Sequence, residues 1–428
     1  MTPGPSASVV GPLRHHEFRL VWSGGVITYV GVWMQIFGQG WLVVQLAAAD
    51  GRPDLAALYL GLVGLAGAVP GILVGIIGGV VADSMDRLRL ILYSQIAGGV
   101  LSALLAVLTL SGLISIAGLV VLAALQATAN AFDGPTRNAM LSRVIPHEHL
   151  LGAIGLQAAG WQGSTVIGPL IGGLLIGPFG VGGLFVIKAL SHLTTIAAVL
   201  RMRPLEREAR PAGQSALDAV REGIAFLLEE RVLRWVLVFV ALVSFAVRPY
   251  LQLLPAIAQR SLHVSAVELS WLLAAAGVGS FSGALLTAPV GNIRRRGVAY
   301  LSCFVAAGSL LALFAAQTVL TLALVCATLL AFSTQLTQGL TNAFLQLRTP
   351  DRLRGRVLSV NNVAYNGLIP LGTMTLGAAG TAVGLDRALA TSGLLVAAIA
   401  VVVLLTVPLL RRLDAEELAR AAALSARA

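Results

Sequence analysis

The chain has 428 residues, of which 57% are hydrophobic and 11% charged, with a mean hydropathy of +0.87. A soluble surface cannot carry that apolar load, so the composition excludes a soluble enzyme or binding module and points to an integral membrane protein. The net charge of +10, from 29 basic against 19 acidic residues, is accounted for by arginines flanking membrane spans and by contact with anionic membrane lipid, and gives no support to nucleic-acid binding.

About 20 apolar residues cross roughly 30 Å of hydrocarbon as a helix, and runs of that length recur twelve times. They are predicted near 19 to 46, 57 to 81, 90 to 110, 114 to 134, 151 to 176, 181 to 200, 233 to 258, 267 to 290, 298 to 317, 319 to 345, 356 to 382 and 385 to 410. The first run holds Trp33, Gln35, Gln39 and Trp41 and is followed by no small-residue cleavage pattern, so it is read as a retained span and not a signal peptide. The expected fold is an all-α membrane protein of twelve transmembrane helices in two pseudo-symmetric six-helix bundles. Residues 1–200 form the first bundle, 201–232 a cytoplasmic linker, 233–410 the second bundle and 411–428 a cytoplasmic tail.

The duplication has two landmarks. Gly79-Val-Val-Ala-Asp83-Ser-Met-Asp86-Arg87-Leu-Arg89 is a charged hinge between apolar runs, and a second glycine-started basic loop, Gly291 to Gly297, begins 212 residues later. The same offset carries Asn130-Ala131-Phe132 onto Asn342-Ala343-Phe344. Two six-span repeats imply a transporter. Orientation follows from arginine: 24 of the 29 basic residues fall on the N-terminal side of the spans, which places both termini in the cytoplasm.

In the linker, Ser215 is expected to cap an amphipathic helix with Ala216, Ala219, Val220, Gly223, Ile224, Leu227 and Leu228 on one face, lying on the inner membrane surface. Cys303 and Cys326 lie inside spans with no His or Cys at ligand spacing and are read as packing residues. His147-Glu148-His149 lacks the i, i+4 spacing of a helical zinc site, and no Gly-rich loop ends in Lys-Ser or Lys-Thr. No enzyme, metal site or cofactor is expected, and ATP is not the energy source.

Further motifs narrow the class. Asp133-Gly-Pro-Thr-Arg137 ends span 4, and Pro350-Asp-Arg-Leu-Arg-Gly-Arg356 precedes span 11. Span 5 carries Gly155, Ser164, Gly168-Pro169 and Gly172-Gly173. With the Gly79–Arg89 loop, these residues resemble the major facilitator superfamily over the whole chain, and more closely its bacterial efflux branch of siderophore and macrolide exporters. Ser84 and Asp86 depart from the superfamily's usual loop. The span 5 set is similar to the antiporter motif G-x8-G-x3-G-P-x2-G-G with one glycine replaced by serine, and the resemblance associates it with export by antiport. Small residues there admit a close neighbouring helix, and the proline removes a backbone donor.

The resemblance implies gate residues and a central cavity. Asp83 is expected to accept hydrogen bonds at the N-terminus of a facing helix, latching the cytoplasmic side, with Arg87 pairing with Asp133 and Arg137 nearby. The cavity is expected to draw on Gln35 and Gln39 of span 1, Gln126 and Asn130 of span 4, Gln157 and Trp161 of span 5, Arg248 of span 7, Gln338 and Asn342 of span 10, and Asn362, Tyr365 and Asn366 of span 11. Amides and aromatics suit a large amphipathic substrate. Arg248 is read as an anion-attracting or outer-gate residue, whereas Lys188 and His192 share a face of span 6, which is peripheral in this fold, with Lys188 near enough to the outer end to snorkel. No Asp or Glu lies in the middle of any span, so proton coupling has only Asp133, His192 and Asp83 to draw on: Asp133 is reached from an inward cavity, the substrate carries protons, or coupling is loose. The expected activity is export of a drug or siderophore-like amphipath by alternating access and proton antiport, by a monomer. Lipid or lysolipid transport and a non-transporting scaffold or sensor are the alternatives.

Overall fold

The computed structural model describes residues 11–84, 87–131, 133, 134, 136, 137, 145–202, 216–290 and 296–408, and among them no residue is in a strand. In chain order the helices are α1 (His16–Ala49), α2 (Ala56–Ser84), α3 (Arg87–Leu110), α4 (Ile116–Asn130), α5 (Leu150–Leu200), α6 (Ala216–Glu229), α7 (Arg231–Ala246), α8 (Tyr250–Arg260), α9 (Ala266–Val290), α10 (Arg296–Ala315), α11 (Leu320–Arg348), α12 (Asp351–Val383) and α13 (Leu385–Thr406). Among the described residues, nine segments are long and apolar enough to cross a membrane. The 51-residue α5 supplies two crossings, because Gly180 turns the chain at φ 65°, ψ −178°, a conformation essentially restricted to glycine. The short α4 and the more polar α12 complete twelve crossings, the number and order expected.

Span 7 differs from the continuous run expected over 233 to 258. Pro249 has no N–H to donate, and the helix breaks between Ala246 and Tyr250. The Arg248 amide bonds instead to the Val243 carbonyl at 2.9 Å, leaving its side chain at the discontinuity.

The chain divides into two compact units, residues 1–42 with 66–213, and 43–65 with 214–428. The second takes in 43–65, a segment the sequence reading assigned to the first bundle. The reason is small-residue packing on α12: a Cβ on Gly61 would lie 2.5 Å from the Met374 Cα, and one on Gly377 would lie 2.5 Å from the Ala57 carbonyl oxygen.

The first unit is built around α1, which presents Gly24, Gly31 and Gly38, seven residues apart, to the second limb of α5. A Cβ at these positions would fall 3.0 Å from the Thr194 carbonyl oxygen, 2.6 Å from Ser191 Oγ and 3.2 Å from Phe185 Cε1. Thr28 Oγ1 donates to the Ser191 carbonyl at 3.1 Å in the same seam. Lipid gives no hydrophobic drive for helices to meet, so close van der Waals approach and such bonds hold them. In the second unit, Phe239, Tyr300, Phe304 and Phe344 stack with centroids 4.7 to 6.3 Å apart, and Gly308 meets Gly393 between α10 and α13.

The linker helix α6 is docked and not merely laid on a surface. Gly223 and Leu227 are buried, with Gly223 close to the Arg356 backbone of α12, while Ile224 and Leu228 stay exposed and Glu222 pairs with Arg356. Glu230 then caps α7 by accepting from the Leu233 amide at 2.6 Å and binds Arg348 of α11 at 2.9 Å. Ser215, the expected cap of α6, lies outside the described residues.

Candidate functional site

The first unit carries an open-sided cavity of ≈ 580 Å³. Among the described residues it is lined by α1 with Thr28, Tyr29 and Val32, α3 with Gln95, the end of α4 with Asn130, Asp133 just beyond it, and both limbs of α5. The first limb contributes Gln157 and Trp161, the second Lys188 and His192, each pair at the i, i+4 spacing that stacks side chains on one helix face.

One wall is aromatic. Trp161, 41% exposed toward this space, meets Tyr29 edge-on at 5.2 Å and Trp33 at 5.9 Å. The opposite chemistry is a chain of polar groups. Asp133 Oδ2 accepts from Arg137 Nε at 2.7 Å, Asp133 Oδ1 accepts from Gln95 Nε2 at 2.9 Å, and Gln95 Oε1 lies 2.7 Å from His192 Nδ1. A carboxylate can only accept, so the Gln95 amide nitrogen faces Asp133 and its oxygen faces the imidazole. His192 Nδ1 therefore carries the hydrogen.

Arg137 is 3% exposed, with its guanidinium 5.8 Å from the Tyr29 ring and its Nη2 buried without a partner among the described residues. The expected partner of Asp133 was Arg87. In the structure the two carboxylate oxygens are taken by Gln95 and Arg137, and the side chains of Asp83 and Arg87 lie outside the described residues.

Lys188 corrects a second expectation. It does not snorkel: it is 3% exposed, lines the cavity, and its Nζ reaches the Thr28 carbonyl at 3.5 Å. The glycine seam of α1 is the cause, because a Cβ on Gly31 would lie 3.0 Å from Lys188 Cδ. Span 6 thereby reaches past α1 into the interior of the unit. Glycines spaced seven apart in span 1 were the available signal, and the sequence reading passed over them; Gln95 and Tyr29 were missed as well.

Of the expected cavity residues, Asn130, Gln157 and Trp161 line this space. Gln35 and Gln126 do not. They are buried and close a ring with Ser102: Gln35 Nε2 donates to Gln126 Oε1, Gln126 Nε2 to Ser102 Oγ at 3.0 Å, and Ser102 Oγ to Gln35 Oε1 at 3.3 Å. That ring joins α1, α3 and α4. Gln39 is half-buried, with its Nε2 unpartnered among the described residues.

The span 5 motif is also mainly a packing device within the unit. A Cβ on Gly168 would lie 2.6 Å from Trp33 Cβ and 2.8 Å from the Val30 carbonyl oxygen, and one on Gly172 2.7 Å from Phe37 Cδ1. Ser164 Oγ donates to the Gly160 carbonyl at 2.7 Å, Pro169 and Gly173 are buried, and Gly155 faces open space.

In the second unit, Arg248 lies 4.4 Å over the Tyr365 ring with its Nε buried and unpartnered among the described residues. Asn361 Nδ2 approaches Asn342 Oδ1 at 3.4 Å, and Thr373 Oγ1 donates to Gln252 Oε1 at 2.8 Å. Gln338 is half-buried, while Asn362 and Asn366 are exposed.

A family model described as a transmembrane secretion effector matches residues 7–426. The chain is similar to macrolide efflux protein A of Streptococcus pyogenes, at 20% identity over 90% of this chain and 95% of that protein. It is also similar to an enterobactin exporter of Shigella flexneri, at 27% identity over 78% of this chain and 80% of that protein. Among solved structures, a bacterial homologue of the human lysosomal transporter Spinster, inward-facing and unoccupied, superimposes with a TM-score of 0.65 at 18% identity, covering 94% of this chain and 98% of that one.

Proposed function

The chain belongs to the transmembrane secretion effector family of major facilitator transporters, and on that premise we propose that it exports an amphipathic small molecule across the cytoplasmic membrane by alternating access and proton antiport, with both termini cytoplasmic. It is a transporter and not an enzyme. The observation that carries the reading is the first-unit cavity, where an aromatic face of Tyr29 and Trp161 stands with a titratable chain, Asp133–Gln95–His192. The rings take the apolar body of the cargo. The chain supplies the exchangeable proton.

The same geometry supports a coupling scheme. The deprotonated Asp133 holds Arg137 and Gln95 through charge-assisted bonds. A proton arriving from the cavity cancels the carboxylate charge, weakens the hold on the buried guanidinium, and lets Gln95 reorient toward His192. Two arrangements of one network, differing by a proton, are what an antiporter must alternate between. Of the three routes the sequence left open, this is the one in which Asp133 is reached through an inward cavity. Asp83 is assigned the cytoplasmic latch on the strength of the loop motif.

Lysolipid transport is the second reading, favoured by an apolar groove of ≈ 360 Å³ along α3 and α4 lined by Leu90, Tyr93, Leu101 and Leu125. The test is pH-gradient dissipation in inverted membrane vesicles challenged in turn with a siderophore, a macrolide, a cationic dye and a lysolipid. Gradient collapse by one amphipath, dependent on this protein and on Asp133, is expected. Movement of labelled cargo with no proton flux refutes antiport, and response to lysolipid alone replaces export of soluble amphipaths with the second reading.

A further inference from the structure

Resting on the export reading, we infer that Lys188 receives an oxyanion of the cargo, so that the exported molecule is an anionic amphipath bearing a carboxylate or an equivalent acidic oxygen group. Lys188 is the sole lysine of the chain, among 28 arginines. It is buried beside the cavity it lines, and no carboxylate of the described residues comes within 4.0 Å of its ammonium. Among the described residues its one hydrogen bond is the long contact to the Thr28 carbonyl. A buried ammonium with a single weak acceptor leaves hydrogen-bonding capacity unused.

The charges among the described residues of the cavity point to the sign of the ligand. Asp133 is the only carboxylate among the described lining residues, and both oxygens are engaged, one by Arg137 and one by Gln95. Arg137 balances that charge, so with a neutral His192 the ammonium of Lys188 is left uncompensated. A cationic amphipath would meet this surplus positive charge and an occupied carboxylate. An anionic one would place its oxygens on Nζ and lay its apolar body against Tyr29 and Trp161, which line the same cavity.

Three probes of matched body test this: a dansyl-aminohexanoate, its primary amide and its trimethylammonium congener, bound to purified full-length protein and followed by fluorescence polarisation. The wild type is expected to hold the carboxylate at least about tenfold tighter than the amide, the scale of one charge-assisted hydrogen bond in a partly desolvated site. Lys188→Gln collapses that ratio toward one, and Lys188→Arg keeps most of it. In parallel, an amine-reactive reagent read by peptide mass spectrometry reports Lys188 alone besides the N-terminal amine, and the carboxylate probe protects it where the ammonium probe does not. Equal or inverted ranking by the wild type, a ratio retained in Lys188→Gln, or failure to protect overturns the inference. Should Lys188→Gln fail to fold, the wild-type ranking and the protection result decide. Vesicles that export the amide or ammonium probe and not the carboxylate leave export standing and remove this inference; vesicles that export none of the three remove both.

Discussion

Replacing Asp133 by Asn separates coupling from folding. The carboxylate makes two charge-assisted bonds, at 2.7 Å to Arg137 and 2.9 Å to Gln95. Asparagine keeps one acceptor oxygen, and its NH2 then meets the donor Arg137 Nε, or meets a Gln95 that has turned its amide over and given up its present contact with His192. One bond worth roughly 1.5–3 kcal/mol is therefore lost. Breaking a buried pair from one side costs roughly 3–5 kcal/mol, but Asp133 is 17% exposed beside Arg137 at 3%, which puts the expected loss near the low end, about 3 kcal/mol. Against total stabilities of roughly 5–15 kcal/mol the variant still folds. A double-mutant cycle with Arg137→Gln, read by unfolding in detergent, is expected to give a coupling of about 2 kcal/mol. In proteoliposomes, accumulation of cargo driven by a pH gradient is lost, whereas exchange down the cargo's own gradient persists at reduced rate. Normal gradient-driven accumulation by a folded Asp133→Asn protein refutes the coupling scheme, and additivity of the two single changes refutes the energetic one.

Gly168→Ala should destabilise the first unit by about 1–3 kcal/mol, the cost of overpacking against backbone that has no room to give, while Gly155→Ala is silent because open space lies before it; thermal unfolding of the two variants compares them directly. Gln35→Ala leaves Gln126 and Ser102 short of a partner and should cost about 1–3 kcal/mol without changing the ranking of cargo probes, so a selectivity change would return Gln35 to the binding site. Asp83→Asn is expected to leave membrane insertion intact and abolish transport; normal flux through the inserted variant removes the latch.

The spans were readable because hydrocarbon imposes a length and a composition on each helix, and even α12, with Asn361, Asn362 and Asn366 inside it, kept enough apolar residues to be found. The break before Tyr250 was written in Arg248-Pro249, yet a hydropathy run does not register a missing amide donor. The cavity was only half legible. Trp161 and Gln157 share a stripe and were found, whereas Gln35 and Gln126 look the same in sequence whether an amide faces a ligand or another helix. Their ring with Ser102 joins residues up to 91 positions apart, which no local pattern reports. Lys188 was set aside with its span, because a helix's depth depends on how closely its neighbours let it approach. Three glycines on α1 decided that.

The 212-residue offset that matches the two halves carries Gln95 onto Ala307 and Asp133 onto Leu345, both buried apolar side chains of the second unit. The last span, Leu385–Thr406, has no charged residue after Arg387. The frame recurs in both halves, while the Asp133–Gln95 pair occurs in one. Under the proposed function the first half is constrained at these positions by cargo and proton and the second by packing, and the matched positions should tolerate very different substitutions over evolutionary time. In that division of labour the first half is where a new cargo would be acquired, and the second is where the machine's rigidity would be tuned.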